Sequence, residues 1–247
     1  MDSDSDNELL QLSSHALAAL QEFRLEEKDR LEKFANLYKA SEDDFERRKD
    51  VSIDEFKEDW QLSQFWYSDE TAEILARALL EGADEDTVIC IASAPAVYAA
   101  ITRLPQELIT TEQIYLLEYD KRFKALAGPK YFSFYDYNTP DAIPEHLRHK
   151  VHRLLIDPPF LEPECQTKSA QAANNLLVKD RSGKTKSGDN SYRLITSTGE
   201  RMRDIVLQNY PDTKVTDFLP EHKNGLSNEF RCYANFTCSQ WKFSNEN

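Results

Sequence analysis

The stretch Leu154-Leu155-Ile156-Asp157-Pro158-Pro159-Phe160 predicts a buried strand that ends in a rigid turn. Its apolar start is typical of a strand inside a sheet, and the two prolines cannot continue a sheet interior because they lack amide donors. In open α/β sheets, ligands bind beyond the carboxyl ends of the strands. The Asp157 carboxylate and the carbonyl between the prolines both accept hydrogen bonds from an amino group, and Phe160 adds an apolar face. Taken alone, the tetrapeptide also fits an ordinary strand-terminating turn.

Strands alternate with helices from residue 87 onward. Apolar runs predict strands at 87–92, 114–120, 130–137, 154–156 and 193–197, and two further segments, 215–220 and 230–236, predict an antiparallel hairpin at the sheet edge. Helical patterns cover 70–80, 96–104, 162–178 and 200–209. This alternation predicts an α/β fold with a doubly wound, mostly parallel, seven-stranded sheet.

The first two strands each end in residues suited to a nucleoside ligand. Ser93-Ala94-Pro95 follows the first strand, where a glycine-rich loop is usual, and small side chains still let a ligand approach the backbone. The second strand ends in Glu118-Tyr119-Asp120. An acid at this position accepts hydrogen bonds from ribose hydroxyls. We expect Glu118 to do so, with Tyr119 as a wall beside it and Asp120 as the alternative acid.

Aromatic residues flank the predicted sheet on the amino-terminal side. Gln64-Phe65-Trp66-Tyr67 precedes the first strand by one helix, and its rings either anchor the core or face a cationic ligand. Asp136 and Tyr137 come at the carboxyl end of the third predicted strand, the edge at which ligands of open α/β sheets bind, and Tyr137 is a candidate for the wall of a pocket. His146, His149 and His152 are spaced by three, a pitch that does not bring three imidazoles to one ion, so we predict no metal site.

The charge of the chain is concentrated at its start. The formal net charge is -14, and residues 1–86 hold 25 acidic and 10 basic residues, whereas the remainder holds 19 acidic and 20 basic residues. We predict an acidic, mainly helical extension with a disordered start over 1–59 and a catalytic domain over 60–247. Acidic protein repels phosphate backbones, so nucleic acid is an unfavourable partner and a basic protein a favourable one.

Composition also bounds the compartment. The four cysteines are scattered without metal-ligand spacing, which favours a reduced, cytoplasmic setting. No apolar run approaches 18 residues and no leader pattern is present, so the sequence predicts neither a membrane-spanning nor a secreted protein. We also expect a monomer.

Asp157-Pro158-Pro159-Phe160 matches the (Asp/Asn)-Pro-Pro-(Tyr/Phe/Trp) signature of amino-group methyltransferases that use S-adenosylmethionine. Together with the motifs at 64–67, 93–95, 118–123 and 135–138, it resembles the fungal and animal family of methyltransferases that modify a lysine of translation elongation factor 1A. The resemblance runs from about residue 10 to the end of the chain. Members of that family have carried adenine-methyltransferase labels because they share the tetrapeptide.

The resemblance implies a class I, Rossmann-like methyltransferase domain, with S-adenosyl-L-methionine as the cofactor and elongation factor 1A as the protein substrate. It implies a catalytic role for Asp157, Pro158, Pro159 and Phe160, with Asp157, Phe160 and Tyr137 binding the substrate. The implied cofactor-binding residues are Gln64, Phe65, Trp66, Tyr67, Ser93, Ala94, Pro95, Glu118, Tyr119, Asp120, Asp136, Tyr137 and Asp157. The turn geometry itself also fits an adenine amino group or a glutamine amide, and the missing glycine loop leaves open a catalytically silent binding protein.

Overall fold

The computed structural model of the protein describes Ile53, Phe56, residues 64–225 and residues 229–245. The amino-terminal helix and disordered start that the sequence predicts lie outside these residues. The strands are β1 (Ile89–Ala92), β2 (Ile114–Glu118), β3 (Phe132–Phe134), β4 (Arg153–Ile156), β5 (Arg193–Gly199), β6 (Lys214–Val215) and β7 (Phe230–Ala234). The helices are α1 (Asp69–Leu80), α2 (Pro95–Arg103), α3 (Lys124–Ala127), α4 (Pro163–Leu176) and α5 (Arg203–Asn209).

The seven strands form one sheet in the order β3-β2-β1-β4-β5-β7-β6. Pairs from β3 to β5 are parallel, and β7 runs antiparallel to both β5 and β6. The predicted doubly wound, mostly parallel sheet and the predicted edge hairpin are therefore confirmed. Strand order reverses between β1 and β4, and this reversal is where open α/β sheets form a ligand crevice.

Alternating side chains of the central strands separate two buried layers. Ile89 and Ile91 of β1 face the layer that contains α1, α2 and α3, whereas Cys90 and Ala92 face the layer that contains α4 and α5. The strands are thus apolar on both faces, as expected for parallel strands covered on both sides. The sheet is the middle of three layers.

Helix α1 shows how local sequence sets an element. The Ser68 side chain caps its start by accepting a hydrogen bond from the Thr71 amide at 3.1 Å, and Asp69 and Glu70 follow in the first turn. Gly82 has a φ of 67°, which lets the chain leave the helix through a left-handed turn. An added Cβ there would lie 2.1 Å from a carboxylate oxygen of Asp189, so the close contact with Asp189 also excludes a side chain at this position.

Two buried arginines hold the carboxyl end of α1. Arg153 Nη1 donates to the carbonyls of Leu79 and Glu81 at 2.6 and 2.8 Å, and Arg193 Nη1 donates to the carbonyl of Ala78 at 2.9 Å. Cations at a helix carboxyl end satisfy its free carbonyls and oppose its dipole. These contacts lie at the amino ends of β4 and β5, at the opposite edge of the sheet from the predicted site.

Some strands are shorter than the sequence predicts. β3 covers only Phe132–Phe134 because the Asp136 carboxylate accepts a hydrogen bond from the Asn138 amide at 2.8 Å, which folds the following residues into a turn. β6 has two residues, and β2 stops at Glu118 rather than Asp120. Local polar contacts ended these strands where the apolar pattern continued.

The predicted boundary between 59 and 60 stays a prediction, although core contacts reach across it. Ile53 and Phe56 are buried in the same core as α1, and the Phe56 ring stacks on Phe123 with centroids 4.5 Å apart. Among the described helices none is long and apolar enough to cross a membrane.

Candidate active site

A cavity of about 680 Å³ opens at the carboxyl ends of the parallel strands. Every residue that the sequence predicts as part of the site lines it, with the exception of Asp120. The carboxyl ends of β1, β2 and β4 lie side by side at this edge, because β1 pairs in parallel with both β2 and β4. The site assembled from 64–67, 93–95, 118–119, 136–137 and 157–160 is therefore a single cavity.

The turn after β4 is held at both ends. The Asp157 amide donates to the carbonyl of Ala92 at 3.0 Å, which extends the pairing of β4 with β1 by one residue. Gln166 of α4 is fully buried, and its Nε2 donates to the carbonyl of Phe160 at 3.1 Å and to Oγ1 of Thr198 on β5 at 3.1 Å. The tetrapeptide Asp157-Pro158-Pro159-Phe160 is thus fixed between neighbouring strands and α4.

The Asp157 carboxyl lies deep in the cavity. Burial raises its pKa to about 7, and the Tyr67 hydroxyl opposes this rise. Tyr67 is itself buried, and its own pKa is raised well above the usual value, first by burial and then by the charge of Asp157. The Tyr67 hydroxyl faces the Asp157 carboxyl, but it makes no hydrogen bond of ordinary length and angle within the described residues. A carboxyl with this pKa is a stronger base than an exposed one.

The loop after β1 contains a left-handed residue that is not glycine. Ser93 has a φ of 59°, and its amide donates to the carbonyl of Leu117 on β2 at 2.9 Å. Residues with a side chain occupy this conformation at a cost of about 1–2 kcal/mol. The loop therefore adopts at Ser93 a backbone form that glycine takes readily, and Ala94 and Pro95 follow it into α2 along the cavity wall.

Glu118 ends β2 with its carboxylate at the cavity. Oε1 accepts hydrogen bonds from the amides of Tyr119 and Asp120 at 2.9 and 3.2 Å, whereas Oε2 has no partner in the part of the chain that the structure describes. Burial raises the pKa of this carboxyl to about 7. The neighbouring Tyr119 ring is 49% exposed and lies 5.3 Å from the ring of Phe134. Glu118 thus offers a free acceptor beside an exposed aromatic face.

Asp120, the alternative acid, turns away from the cavity. Its carboxylate accepts hydrogen bonds from Nε of Arg122 at 2.8 and 3.0 Å and from Nε2 of Gln64 at 3.2 Å. Burial acts to raise the pKa of Asp120, but the contacts with Arg122 and Gln64 hold it below its usual value. Asp120 therefore anchors Gln64 and does not face the cavity, and Glu118 is the acid that does.

The segment 64–67 crosses the cavity from one side to the other. At one end Gln64 bonds to Asp120 beyond β2, and at the other end Tyr67 pairs with His222 in an isolated antiparallel bridge. The Trp66 indole donates to the carbonyl of Phe56 at 3.1 Å and packs edge-on against Phe123, so most of this ring belongs to the core. Phe65 and Tyr67 complete the cavity wall.

The opposite wall comes from the layer that contains α4 and α5. Asp136 and Tyr137 follow β3, and the Tyr137 ring lies 5.6 Å from that of Phe160. Several lining residues were not assigned to the site from the sequence, although Tyr135 and Asn138 lie in the motif at 135–138: Ala96, Tyr135, Asn138, Leu161, His222, Asn224, Gly225 and Phe230. His222 and Phe230 had no motif to mark them. Their only signal is that β7 runs antiparallel, which returns its first residue to this edge.

In the described ranges, no group of three His, Cys, Asp or Glu residues is placed to hold a metal ion. The strand order 3-2-1-4-5-7-6, with acids after β2 and β4, defines a class I methyltransferase fold. Residues 58–238 match a protein family described as "Probable N6-adenine methyltransferase". The curated relatives are more specific.

The chain is 58% identical over 234 residues to the protein-lysine N-methyltransferase EFM5 of Saccharomyces cerevisiae, with 94% of each chain covered. It is 38% identical over 232 residues to EEF1A lysine methyltransferase 1 of Homo sapiens, again with 94% of each chain covered. The chain belongs to this family of protein-lysine N-methyltransferases.

Solved structures resemble the chain more distantly. TrmN from Thermus thermophilus is 19% identical with a TM-score of 0.42, and the match covers 67% of this chain and 51% of the TrmN chain. A branched-chain polyamine synthase from the same organism is 10% identical with a TM-score of 0.49, and covers 81% of this chain and 68% of its own. The fold assignment therefore rests on the strand order and the sequence relatives.

Proposed function

We propose that this protein transfers a methyl group from S-adenosylmethionine to a lysine side chain of translation elongation factor 1A. The observation that carries the proposal is the half-buried carboxylate of Asp157 in the cavity, beside a proline-locked carbonyl at the end of β4. The names of the relatives support the choice of substrate, because those from yeast and vertebrates are named for lysine or for EEF1A.

The residues on the β1 and β2 side fit S-adenosylmethionine. The Oε2 atom of Glu118 would accept hydrogen bonds from the ribose hydroxyls, and the left-handed turn at Ser93 would let the cofactor approach the backbone. Ala94, Pro95 and Tyr119 line the same side, with Asp136 beyond them, and Gln64 to Tyr67 cover it. When bound, this cofactor supplies a methyl group on a positively charged sulfur. Anionic and aromatic groups suit such a cation.

The turn at 157–160 holds the amine. The carboxylate of Asp157 and the carbonyl of Pro158 accept hydrogen bonds from the two N–H groups of a neutral amine, so its lone pair points away from them. Phe160 and Tyr137 shield that nitrogen from water. Orienting the nucleophile in this way is the main contribution that the protein makes to methyl transfer.

A lysine ammonium must lose a proton before it attacks. The N–H bond breaks toward Asp157, the carboxylate oxygen takes the proton, and the electron pair stays on the lysine nitrogen. The raised pKa of Asp157 suits this role because it lies closer to neutral pH than that of an exposed carboxyl. Before the attack, the proton passes from Asp157 to solvent through the open side of the cavity, which leaves the carboxylate to orient the neutral amine.

The second candidate is methylation of an adenine amino group, which the description of the matching family favours. The two functions differ in how they depend on salt, because a protein that binds nucleic acid loses affinity steeply as salt rises. The concentration of acidic residues in 1–86 favours the basic protein substrate.

Labelled S-adenosylmethionine, incubated with the protein and with either purified elongation factor 1A or mixed nucleic acid, tests the proposal. We expect label in the elongation factor, mapped to a lysine by mass spectrometry, and no label in the nucleic acid. Label that enters only nucleic acid refutes the proposal. The proposal also includes a cytoplasmic location and a monomeric state. The cysteines at 90, 165, 232 and 238 are all free, which fits a reducing compartment such as the cytoplasm.

A further inference from the structure

The cavity has two halves on either side of β4. Glu118 and Ser93 come from β2 and β1, on one side of Asp157, and β5 and β7 lie on the other side. Phe230, the first residue of β7, pairs with Gly199, the last residue of β5. Because β7 is antiparallel, its beginning lies at the same edge as the ends of the parallel strands. Phe230 therefore lines the half of the cavity away from the proposed cofactor residues.

Three rings pack in a row from Tyr67, at the end of the segment that covers the cofactor side, into this half: the His222 ring is tilted against Tyr67 and edge-on to Phe230. The His222 ring lies 4.8 Å from that of Tyr67 and 4.5 Å from that of Phe230, measured between centroids. All three residues line the cavity. Backbone contacts fix the arrangement, since the Ser68 amide donates to the carbonyl of Glu221 and the Lys223 amide donates to the carbonyl of Trp66, each at 2.9 Å. This row of rings is thus held as part of the fold.

The row of rings faces a second pair of rings across the strand ends. Tyr67 is buried in the layer with α1 and α2, whereas Tyr137 packs against the layer with α4 and α5 and contacts Phe160. Asp157 lies at the end of β4, between the two layers. The arrangement is a passage with aromatic sides and a carboxylate at its base, which suits an apolar stem that ends in an amine.

We infer that Tyr67, His222 and Phe230 form the wall that receives the side chain of the target lysine, with His222 as its specificity-determining residue. This inference rests on the proposed function and names residues that select the acceptor. Burial lowers the pKa of His222 to about 4, so the imidazole is neutral at pH 7 and does not repel an incoming ammonium. A neutral ring also packs against Tyr67 without placing a second cation near the cofactor.

Four proteins test the inference: wild type, His222→Ala, His222→Phe and His222→Lys. Each is assayed with purified elongation factor 1A, and its affinity for S-adenosylmethionine is measured by calorimetry. We expect His222→Ala to raise KM for the elongation factor about tenfold, while the Kd for S-adenosylmethionine stays within about twofold. His222→Phe keeps the ring and the lack of charge, so it restores KM to near the wild-type value. His222→Lys is expected to have the highest KM.

Two controls separate the possible failures. His146→Ala changes an exposed histidine outside the cavity and is expected to leave KM unchanged. Thermal unfolding and S-adenosylmethionine binding report whether each variant is folded. An unchanged KM in His222→Ala, or a loss of cofactor affinity equal to the change in KM, overturns the inference. A wild type that does not methylate the elongation factor removes the proposed function, and this inference with it.

Discussion

Arg153 on β4 lies directly beside Arg193 on β5 in the parallel register, and both side chains are buried against the last turn of α1. Two neighbouring cations tolerate each other here because they bond to three free carbonyls of that helix. Burial lowers the pKa of Arg153 to about 9, with the charge of Arg193 adding to this effect. The pair anchors α1 to the centre of the sheet.

Arg153→Met is expected to destabilise the protein by about 2–4 kcal/mol, because it leaves two buried carbonyls without a donor. Chemical denaturation measures this loss. Arg77→Met is the matched control, since Arg77 makes an exposed ion pair with Glu73 and its loss costs less than about 1 kcal/mol. Equal losses in the two variants contradict the anchoring role.

Asp157→Asn keeps the shape of the turn at 157–160 but removes its charge. We expect kcat to fall by about 10²–10⁴, because asparagine does not take the proton of an ammonium. Affinity for S-adenosylmethionine is expected to change little, because Glu118 and the Ser93 loop remain. Single-turnover assays and calorimetry give the two values. An Asp157→Asn enzyme as fast as the wild type shows that the carboxylate accepts no proton.

The same substitution is expected to stabilise the ligand-free protein at alkaline pH. The pKa of Asp157 is raised from 3.8 to about 7, so the unfolded chain releases this proton near pH 4 and the folded chain only near pH 7. The stability contributed by this group is present in full below pH 4 and is lost as pH rises to 7. Asp157→Asn removes this loss, which we put at about 2 kcal/mol after allowance for water in the cavity.

Thermal unfolding of wild type and Asp157→Asn at pH 5 and pH 8 tests this linkage. The gap between the two proteins is expected to widen at pH 8, and part of the decline with pH remains in the variant because the Glu118 pKa is also raised to about 7. A gap that is the same at both pH values shows that the folded pKa of Asp157 is ordinary.

Glu118→Gln is expected to weaken binding of S-adenosylmethionine by about tenfold or more, because a hydrogen bond to a charged acceptor contributes about 1.5–3 kcal/mol. At saturating cofactor, kcat is expected to stay near the wild-type value, since Glu118 does not touch the amine site. Asp120→Asn is the comparison, and it affects the cofactor only through its contact with Gln64. A larger effect at Asp120 reverses this assignment of the two acids.

At position 93, we expect the protein with glycine to be the most stable, the wild type with serine to be intermediate, and the protein with valine to be the least stable. A glycine relieves the left-handed backbone, with a gain below about 1 kcal/mol after its own entropic cost, whereas a β-branched valine costs about 1–2 kcal/mol. Urea denaturation of Ser93→Gly and Ser93→Val measures the order. Ser93→Val as stable as the wild type means that the loop does not hold this conformation in solution.

Local signals were sufficient to place the parallel half of the site. Apolar runs set β1, β2 and β4, parallel pairing brings their carboxyl ends together, and so Ser93, Glu118 and Asp157 meet at one edge. For the acid at the end of β2, the sequence favoured Glu118 and kept Asp120 as the alternative. The structure places only Glu118 at the cavity, because Asp120 contacts Arg122 and Gln64, a residue distant in the chain.

The cluster of the Tyr67, His222 and Phe230 rings could not be predicted from the sequence for a different reason. His222 lies in an irregular connection with no periodicity, and its neighbour Tyr67 is separated from it by most of the domain. The pairing of Phe230 with Gly199 and the bridge between His222 and Tyr67 bring that connection to the site. Contacts of this kind depend on how distant parts of the chain meet, which no local pattern records.

Because β7 is antiparallel, the two sides of this cavity come from different parts of the chain. Residues proposed to hold the methyl donor come from the early strands, whereas Phe230 and His222 come from the last hairpin. If these residues select the acceptor as proposed, substitutions in that hairpin are expected to alter which acceptor fits while leaving the donor side intact. A single late connection therefore gives this architecture room to acquire new targets during evolution without rebuilding the machinery that supplies the methyl group.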